Sequence, residues 1–284
     1  MGTAIGERLL ERGCELVVWN RTREKTAPLA QAGARVVETA ASVASESDIV
    51  MTILTDAAAI DAVYVGAGGL LSGAVRGKLF VEMSTVAPAT TRALAGKVSA
   101  AGAAFVDCPV GGTVGPARSG KLYAFAGGAE ADVARLRPVL EHLCRRIEHI
   151  GPVGAGATMK LTANLLTQVF WQSLGEALTL CRPLDLPAER LMSLFLDMSG
   201  AAAVLEHRAP QIAAALNGTD ITPVNFDIDS VRKDMRAMIE DAGARGRRLP
   251  LAERALECFD RMSQAGLGDR DCAMAPVFFL RGST

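Results

Sequence analysis

GPVGAGATMKLTANLL, residues Gly151 to Leu166, is the stretch on which the reading of the fold turns. It opens as a glycine-rich loop and continues as an apolar helix. Its one charge is Lys160, and the amide of Asn164 follows one helical turn later. On its N-terminal side, CELVVW (14–19), ARVV (34–37), DIVMTIL (48–54), KLFVEMS (78–84), AAFVDCPV (103–110), LYAFAG (122–127) and RIEHIG (146–151) have the length and apolar character of buried strands. Such strands, alternating with helical segments like 88–101 and 130–144, predict a mostly parallel sheet covered on both faces. On its C-terminal side no strand pattern recurs. One long helix is predicted over 159–180, ended near Pro183. Helices over 187–198, 201–216, 226–242 and 250–266 follow, separated by Gly, Pro, Asn and Asp. The reading is an α/β domain over 1–151 and an all-α domain over 152–284, the second starting with a long helix that joins the two.

Composition narrows the function. The 284 residues carry 30 Lys and Arg against 31 Asp and Glu, for a formal net charge of -1, with no run of either sign. That lacks the electrostatic footprint of a nucleic-acid binder, and 5% aromatic content offers few stacking platforms for single strands. No apolar run is long enough to span a bilayer, and no signal peptide is visible. The six cysteines, Cys14, Cys108, Cys144, Cys181, Cys258 and Cys272, form no C-x-x-C pair and have no His at ligand spacing. Neither a zinc site nor a disulfide framework is expected, and a reducing, cytoplasmic location fits.

The first residues, MGTAIGERLLERGCELVVWNRT, read as a helix opened by Gly2, a glycine stop at Gly13, and a strand ending at Trp19. On one reading this matches the second part of a dinucleotide-binding unit. There, a third glycine lets the helix pack close to the sheet, and the residue after the second strand reads the adenosine ribose. Met1 and Gly2 would close the glycine motif, and Asn20, Arg21 and Thr22 would face the ribose. An acid at that place favours NAD, whereas Arg21 offers a planar fork of donors for the 2′-phosphate of NADP. The expected cofactor is NADP, with NAD as the alternative. The first strand and first two glycines of such a unit would lie ahead of Met1, so the reading expects a start assigned too late or a shortened chain. The competing reading of Gly2 is the start of an ordinary helix.

Four motifs, taken together, resemble the β-hydroxyacid dehydrogenase family, relatives of 3-hydroxyisobutyrate dehydrogenase and 6-phosphogluconate dehydrogenase. DCPVGGTVGPARSG, Asp107 to Gly120, is similar to the family's D-x-P-V-S-G-G segment. Gly154, Gly156, Lys160 and Asn164 match G-x-G-x-x-x-K-x-x-x-N. Lys233-Asp234 follows Phe226 as the family's K-D pair does, and GLGDRD, Gly266 to Asp271, looks like the family's ending. The motifs run through essentially the whole chain, in order.

The resemblance implies a Rossmann-like doubly wound N-terminal sheet, an all-α C-terminal domain, and NAD(P)-dependent hydride transfer. The substrate would be a small hydroxy acid or its semialdehyde or keto partner, bound between the domains. It implies Lys160 as general acid/base, with Asn164 orienting the lysine or the substrate hydroxyl. Residues four apart on a helix share a face, which suits the pair. A lysine titrates near pH ~10.4, so base work requires burial to lower that value. The resemblance places the substrate carboxylate at Gly111, Gly112 and Thr113, where consecutive small residues can form an anion nest. Gly111 stands where the family commonly has serine, which exchanges a hydroxyl donor for room and suggests a bulkier substrate. Leu54 and Thr55 are expected on the adenine and ribose side of the cofactor, and Ser84 and Thr85 near the nicotinamide. Ser84 and Thr85 equally suit a cap for the helix at Pro88. Lys233 is expected near both cofactor and substrate. A homodimer or homotetramer is implied by the family. Two rivals remain open: an imine reductase-like enzyme, which usually carries an acid or tyrosine where Lys160 stands, and a non-catalytic cofactor-binding protein.

Overall fold

The structure is a computed structural model in which residues 1–281 are described. Two compact units emerge, Met1–Lys160 and Leu161–Thr284, so the division falls inside the long helix rather than ahead of it. The first unit runs α1 (Gly2–Glu11), β1 (Val17–Val18), α2 (Ala27–Gln31), β2 (Arg35–Val36), α3 (Ala40–Glu46), β3 (Ile49–Thr52), α4 (Ala57–Val65), β4 (Leu79–Glu82), α5 (Pro88–Ala100), β5 (Ala104–Asp107), β6 (Val110–Gly111), α6 (Val114–Arg118), β7 (Leu122–Gly127), α7 (Glu130–Leu143) and β8 (Cys144–Gly151), and enters α8 (Ala155–Cys181). The second continues α8 and adds α9 (Ala188–Leu196), α10 (Val204–Leu216), α11 (Ile228–Ala244), α12 (Pro250–Met262) and α13 (Ala275–Arg281).

Every predicted strand run contains a strand. β3, β4 and β5 pair in parallel, β7 runs antiparallel to β5 and β6, and β8 returns parallel to β7. β4 is buried along its whole length. Its Leu79 and Val81 join a core with Ile5, Leu9, Leu136 and Leu140 on one face. Phe80 joins Ile60, Tyr64, Leu94 and Val98 on the other. That two-sided burial explains why the run reads as continuously apolar rather than alternating.

The sheet differs from the expectation in two places. The run 103–110 is two strands, because Pro109 has no N–H to give the ladder; β6 continues along β7 in the register that β5 begins. The parallel sheet also comes in two pieces. β1 and β2 form a two-stranded sheet of their own, and β1 is not hydrogen-bonded to β3. In the strand order of a doubly wound dinucleotide fold, β1 and β2 take the second and third places and β3 the fourth. The break therefore falls at the place of the first strand.

Among the described residues, the second unit has no strand, only an isolated bridge between Asp227 and Asp271. Trp171, Leu174 and Leu178 of α8 share its core with Leu205, Ile212, Val231, Met235, Phe259 and Met262. A buried ion pair anchors its C-terminal segment: Arg208 Nη2 donates to both carboxylate oxygens of Asp271, at 2.9 and 3.0 Å. Asp271 also accepts from the Asn225 N–H at 2.8 Å, which satisfies a charge that would otherwise be costly to bury.

Candidate active site

The glycines of the opening stretch have mechanical reasons. Gly154 has φ +92°, a backbone that L side chains rarely adopt. A Cβ on Gly156 would lie 2.2 Å from the Phe125 carbonyl oxygen and 2.7 Å from that of Asp107. Only a glycine lets α8 start this close to β5 and β7. This contact starts the helix at Ala155, four residues earlier than its apolar pattern suggested. The carboxylate of Asp107 then caps the helix from the end of β5. Gly154 N–H donates to Oδ1 at 2.7 Å and Ala157 N–H to Oδ2 at 2.8 Å. Burial pushes the Asp107 carboxyl above its ordinary value, while these two N–H groups and the Arg92 guanidinium pull the other way. Lys160, half-buried and engaged, lies one turn past this capped start.

In the helical unit, Asn164 Nδ2 donates to Asp234 Oδ2 at 2.9 Å. Lys233 Nζ reaches Asp234 Oδ1 at 3.0 Å. Adjacent helix residues point apart, so the Lys233 side chain folds back to meet the carboxylate. Asp234 is fully buried, and it gathers two of the predicted residues, Asn164 and Lys233, onto one anion.

At the ends of β3 and β4 the structure builds a buried polar relay. Thr52 Oγ1 donates to Glu82 Oε2 at 2.6 Å and lies 2.8 Å from the Tyr64 hydroxyl. Ser84 N–H donates to Glu82 Oε1 at 2.8 Å, and Ser84 Oγ accepts from the Leu54 N–H at 2.6 Å. Burial holds the Glu82 carboxyl above its usual range and the Tyr64 phenol well above its own. Ser84 therefore ties two strand ends together. It does not cap the next helix, since α5 begins after Ala87 with no side-chain cap bond. Gly2 touches the same region, with a Cβ position 3.2 Å from Ile53 Cγ2. Thr55 is exposed beside Asp56, which caps α4 through the Ala59 N–H at 2.8 Å. Thr85 is half-buried and engaged.

The dinucleotide fits the residues present. Met1 is the N-cap of α1 and makes no side-chain cap bond, so the helix N-terminus offers its main-chain N–H groups to an anion. After β1, Asn20 Oδ1 accepts from the Thr22 N–H at 2.9 Å, a turn that leaves Arg21 exposed. Trp19, Asn20, Arg21, Arg23, Thr26 and Glu38 help line a cavity of about 110 Å³ beside it.

The segment expected at the substrate carboxylate begins inside a strand. Gly111 pairs with Tyr123 in the β6–β7 ladder, Gly112 has φ +120° and Thr113 is extended. The ladder requires β geometry at the first of the three residues.

The sequence reading passed over two acids. Asp107 appeared only as the first letter of a ligand motif, and Asp234 only as half of a pair. A signal for Asp234 exists: Val231, Asp234, Met235 and Met238 are all buried at helical spacing, and an acid inside an apolar stripe requires a partner. All six cysteines are free thiols, and burial pushes Cys144 and Cys272 up to about 12. No group of three or more metal-ligating side chains occurs among the described residues, and no described helix is long and apolar enough to cross a membrane.

Comparison with known proteins identifies the family. Residues 1–151 match the NAD binding domain of 6-phosphogluconate dehydrogenase. Residues 154–278 match the NAD-binding domain of NADP-dependent 3-hydroxyisobutyrate dehydrogenase. Glyoxylate/succinic semialdehyde reductase 1 of Arabidopsis thaliana is 30% identical over 95% of this chain and 92% of its own length. The crystal structure of 3-hydroxyisobutyrate dehydrogenase from Salmonella typhimurium superposes with a TM-score of 0.86 at 25% identity, covering 98% of this chain and 96% of that one. A structure of Psf3 in complex with NADP+ and 2-OPP gives a TM-score of 0.85 at 25% identity, over 98% and 96%. Matched by these family models over both units and by a relative along nearly its whole length, the chain belongs to the β-hydroxyacid dehydrogenase family.

Proposed function

We propose that this enzyme moves a hydride between a nicotinamide, NADP by preference, and a small hydroxy acid or its semialdehyde or keto partner, with Lys160 as general acid/base. The observation that carries the reading is the arrangement along α8. Lys160 follows a helix start fixed by Asp107 and Gly156, and the next turn presents Asn164 bound to a buried carboxylate. The nicotinamide, when bound, supplies or accepts the hydride. This chain supplies the proton. In reduction the Lys160 ammonium gives its proton to the developing alkoxide and its charge stabilises that oxygen. In oxidation the neutral amine takes the hydroxyl proton back.

The proposed cofactor contacts are the N-terminus of α1 at Met1 and Gly2, the turn Asn20–Arg21–Thr22, and the strand ends at Leu54-Thr55 and Ser84-Thr85, where ligands bind in open α/β sheets. Lys233 is proposed to serve cofactor and substrate. Gly111, Gly112 and Thr113, at and beyond the end of the β6 ladder, are proposed to meet the substrate carboxylate. Free cysteines fit a cytoplasmic location. Exposed Leu166, Leu180, Leu184 and Leu194 in the helical unit fit a homodimer or homotetramer, which light scattering would test.

The direct test is an NADPH-oxidation screen across short semialdehydes, 2-keto acids and cyclic imines. Turnover of carboxylated aldehydes or keto acids supports the reading. Turnover of the imines alone would reject it in favour of imine reduction, and NADPH binding with no turnover would favour a non-catalytic role.

A further inference from the structure

Asp107 is the last residue of β5, fully buried, and both of its oxygens are committed to the first turn of α8. The surrounding chain allows that turn no other seat. A Cβ on Gly127 would come 2.5 Å from Asp107 Oδ1, and one on Gly156 would strike the carbonyl oxygens of Phe125 and Asp107. Thr158 Oγ1 donates back to the Gly154 carbonyl at 2.9 Å, which closes the same turn from the helix side. A capped helix start held at two main-chain N–H groups cannot rotate or slide without breaking both bonds. Lys160 lies three residues past Ala157, about 4.5 Å along the axis. The position of its Cα on the helix is thus set by the carboxylate.

Resting on the assignment of Lys160 as acid/base, we propose that Asp107 is a positioning residue for that lysine. Its ionised carboxylate fixes the rotation and height of the helix start from which Lys160 projects. The D-x-P-V segment then works on the reaction through α8. The two N–H groups need an acceptor at each oxygen, so Asp107→Asn keeps the volume but sets an amide donor against one of them. A displacement of about 1 Å at a reacting group is enough to cost on the order of a hundredfold in rate.

The test is a double-mutant cycle on single-turnover hydride transfer, with NADPH affinity measured on each variant to show a folded binding site. Expected is a loss of at least about tenfold in Asp107→Asn with NADPH affinity unchanged. The Asp107→Asn/Lys160→Ala double variant should be no slower than Lys160→Ala, because residues acting through one another do not add. An unchanged rate in Asp107→Asn, or losses that multiply in the double variant, would overturn the proposal while leaving the role of Lys160 intact. A Lys160→Ala variant with normal turnover would remove that role, and the positioning proposal with it. If Asp107→Asn does not fold, the wild-type pH profile decides. An acid limb in kcat above the ordinary carboxylate range, with NADPH affinity retained, supports it. A kcat flat down to about pH 5 overturns it.

Discussion

Asn164 and Asp234, seventy positions apart in sequence, are joined by a 2.9 Å hydrogen bond from amide to buried carboxylate. That bond fixes which way the amide faces: its nitrogen is spent on Asp234, so its oxygen is the atom left to accept from a hydroxyl or an ammonium. Asp234→Ala removes the acceptor for Asn164 and for Lys233 together. It should lower the unfolding free energy by about 1–3 kcal/mol, read from urea denaturation, and reduce turnover. Asp234→Asn, which keeps one acceptor, should fall between it and the wild type. Equal turnover in all three would detach Asp234 from the site.

Two glycines of the family motifs should respond in opposite ways. Gly156→Ala puts a methyl group against main-chain oxygens at 2.2 and 2.7 Å, and overpacking of that kind costs on the order of 1–3 kcal/mol or more. Gly111→Ser meets only ordinary contacts, 3.5 Å to Tyr123 Cβ and 3.6 Å to Phe125. Its thermal midpoint should stay within experimental error of the wild type. Because the serine restores a hydroxyl donor beside the proposed carboxylate segment, KM for small hydroxy acids should fall. Thermal scans and steady-state kinetics on both variants check the contrast.

How far the sequence could be read depended on whether a residue's partner was local. The strand runs were legible because β4 and its neighbours are buried on both faces, and the switch at Gly151 was legible because the period changes there. Lys160 and Asn164 stood out as polar residues in an apolar helix. The short helices α3 and α4 were not singled out, since their alanine-rich segments carry little amphipathic pattern. Asp107 and Asp234 act on partners 47 and 70 positions away, and no local spacing announces such bonds. The Ser84 hydroxyl is the same case: it looked equally suited to a ligand or a cap, and the structure spends it on the Leu54 N–H of the next strand.

Glu82 gives a pH prediction with a definite sign. Burial raises its carboxyl in the folded protein, so the native state keeps a proton over a range where the unfolded chain has lost it. Its stabilising contribution is fully present below the ordinary carboxylate range. It is lost as pH rises from that range to the raised value. Glu82→Gln has no proton to lose and can still accept from Ser84. Its stability relative to the wild type should therefore grow between about pH 4 and pH 7. Urea midpoints that track each other in parallel across that range would show that Glu82 is not the source.

Arg21 is exposed after β1 and carries the expected preference for NADP. A guanidinium–phosphate contact is worth about 1.5–3 kcal/mol, so Arg21→Asp should weaken NADPH by roughly ten- to a hundredfold or more. NADH affinity should hold or improve. Calorimetric titration of both nucleotides decides it, and an equal loss for the two would place the 2′-phosphate elsewhere.

The central claim is that the Lys160 amine moves the proton while the nicotinamide moves the hydride. Its most direct test is single-turnover hydride transfer in Lys160→Ala beside the wild type, with NADPH affinity measured on the same samples. The account predicts unchanged NADPH binding and a transfer rate lower by about a hundredfold or more. A variant that binds NADPH normally and transfers hydride at the wild-type rate would contradict it.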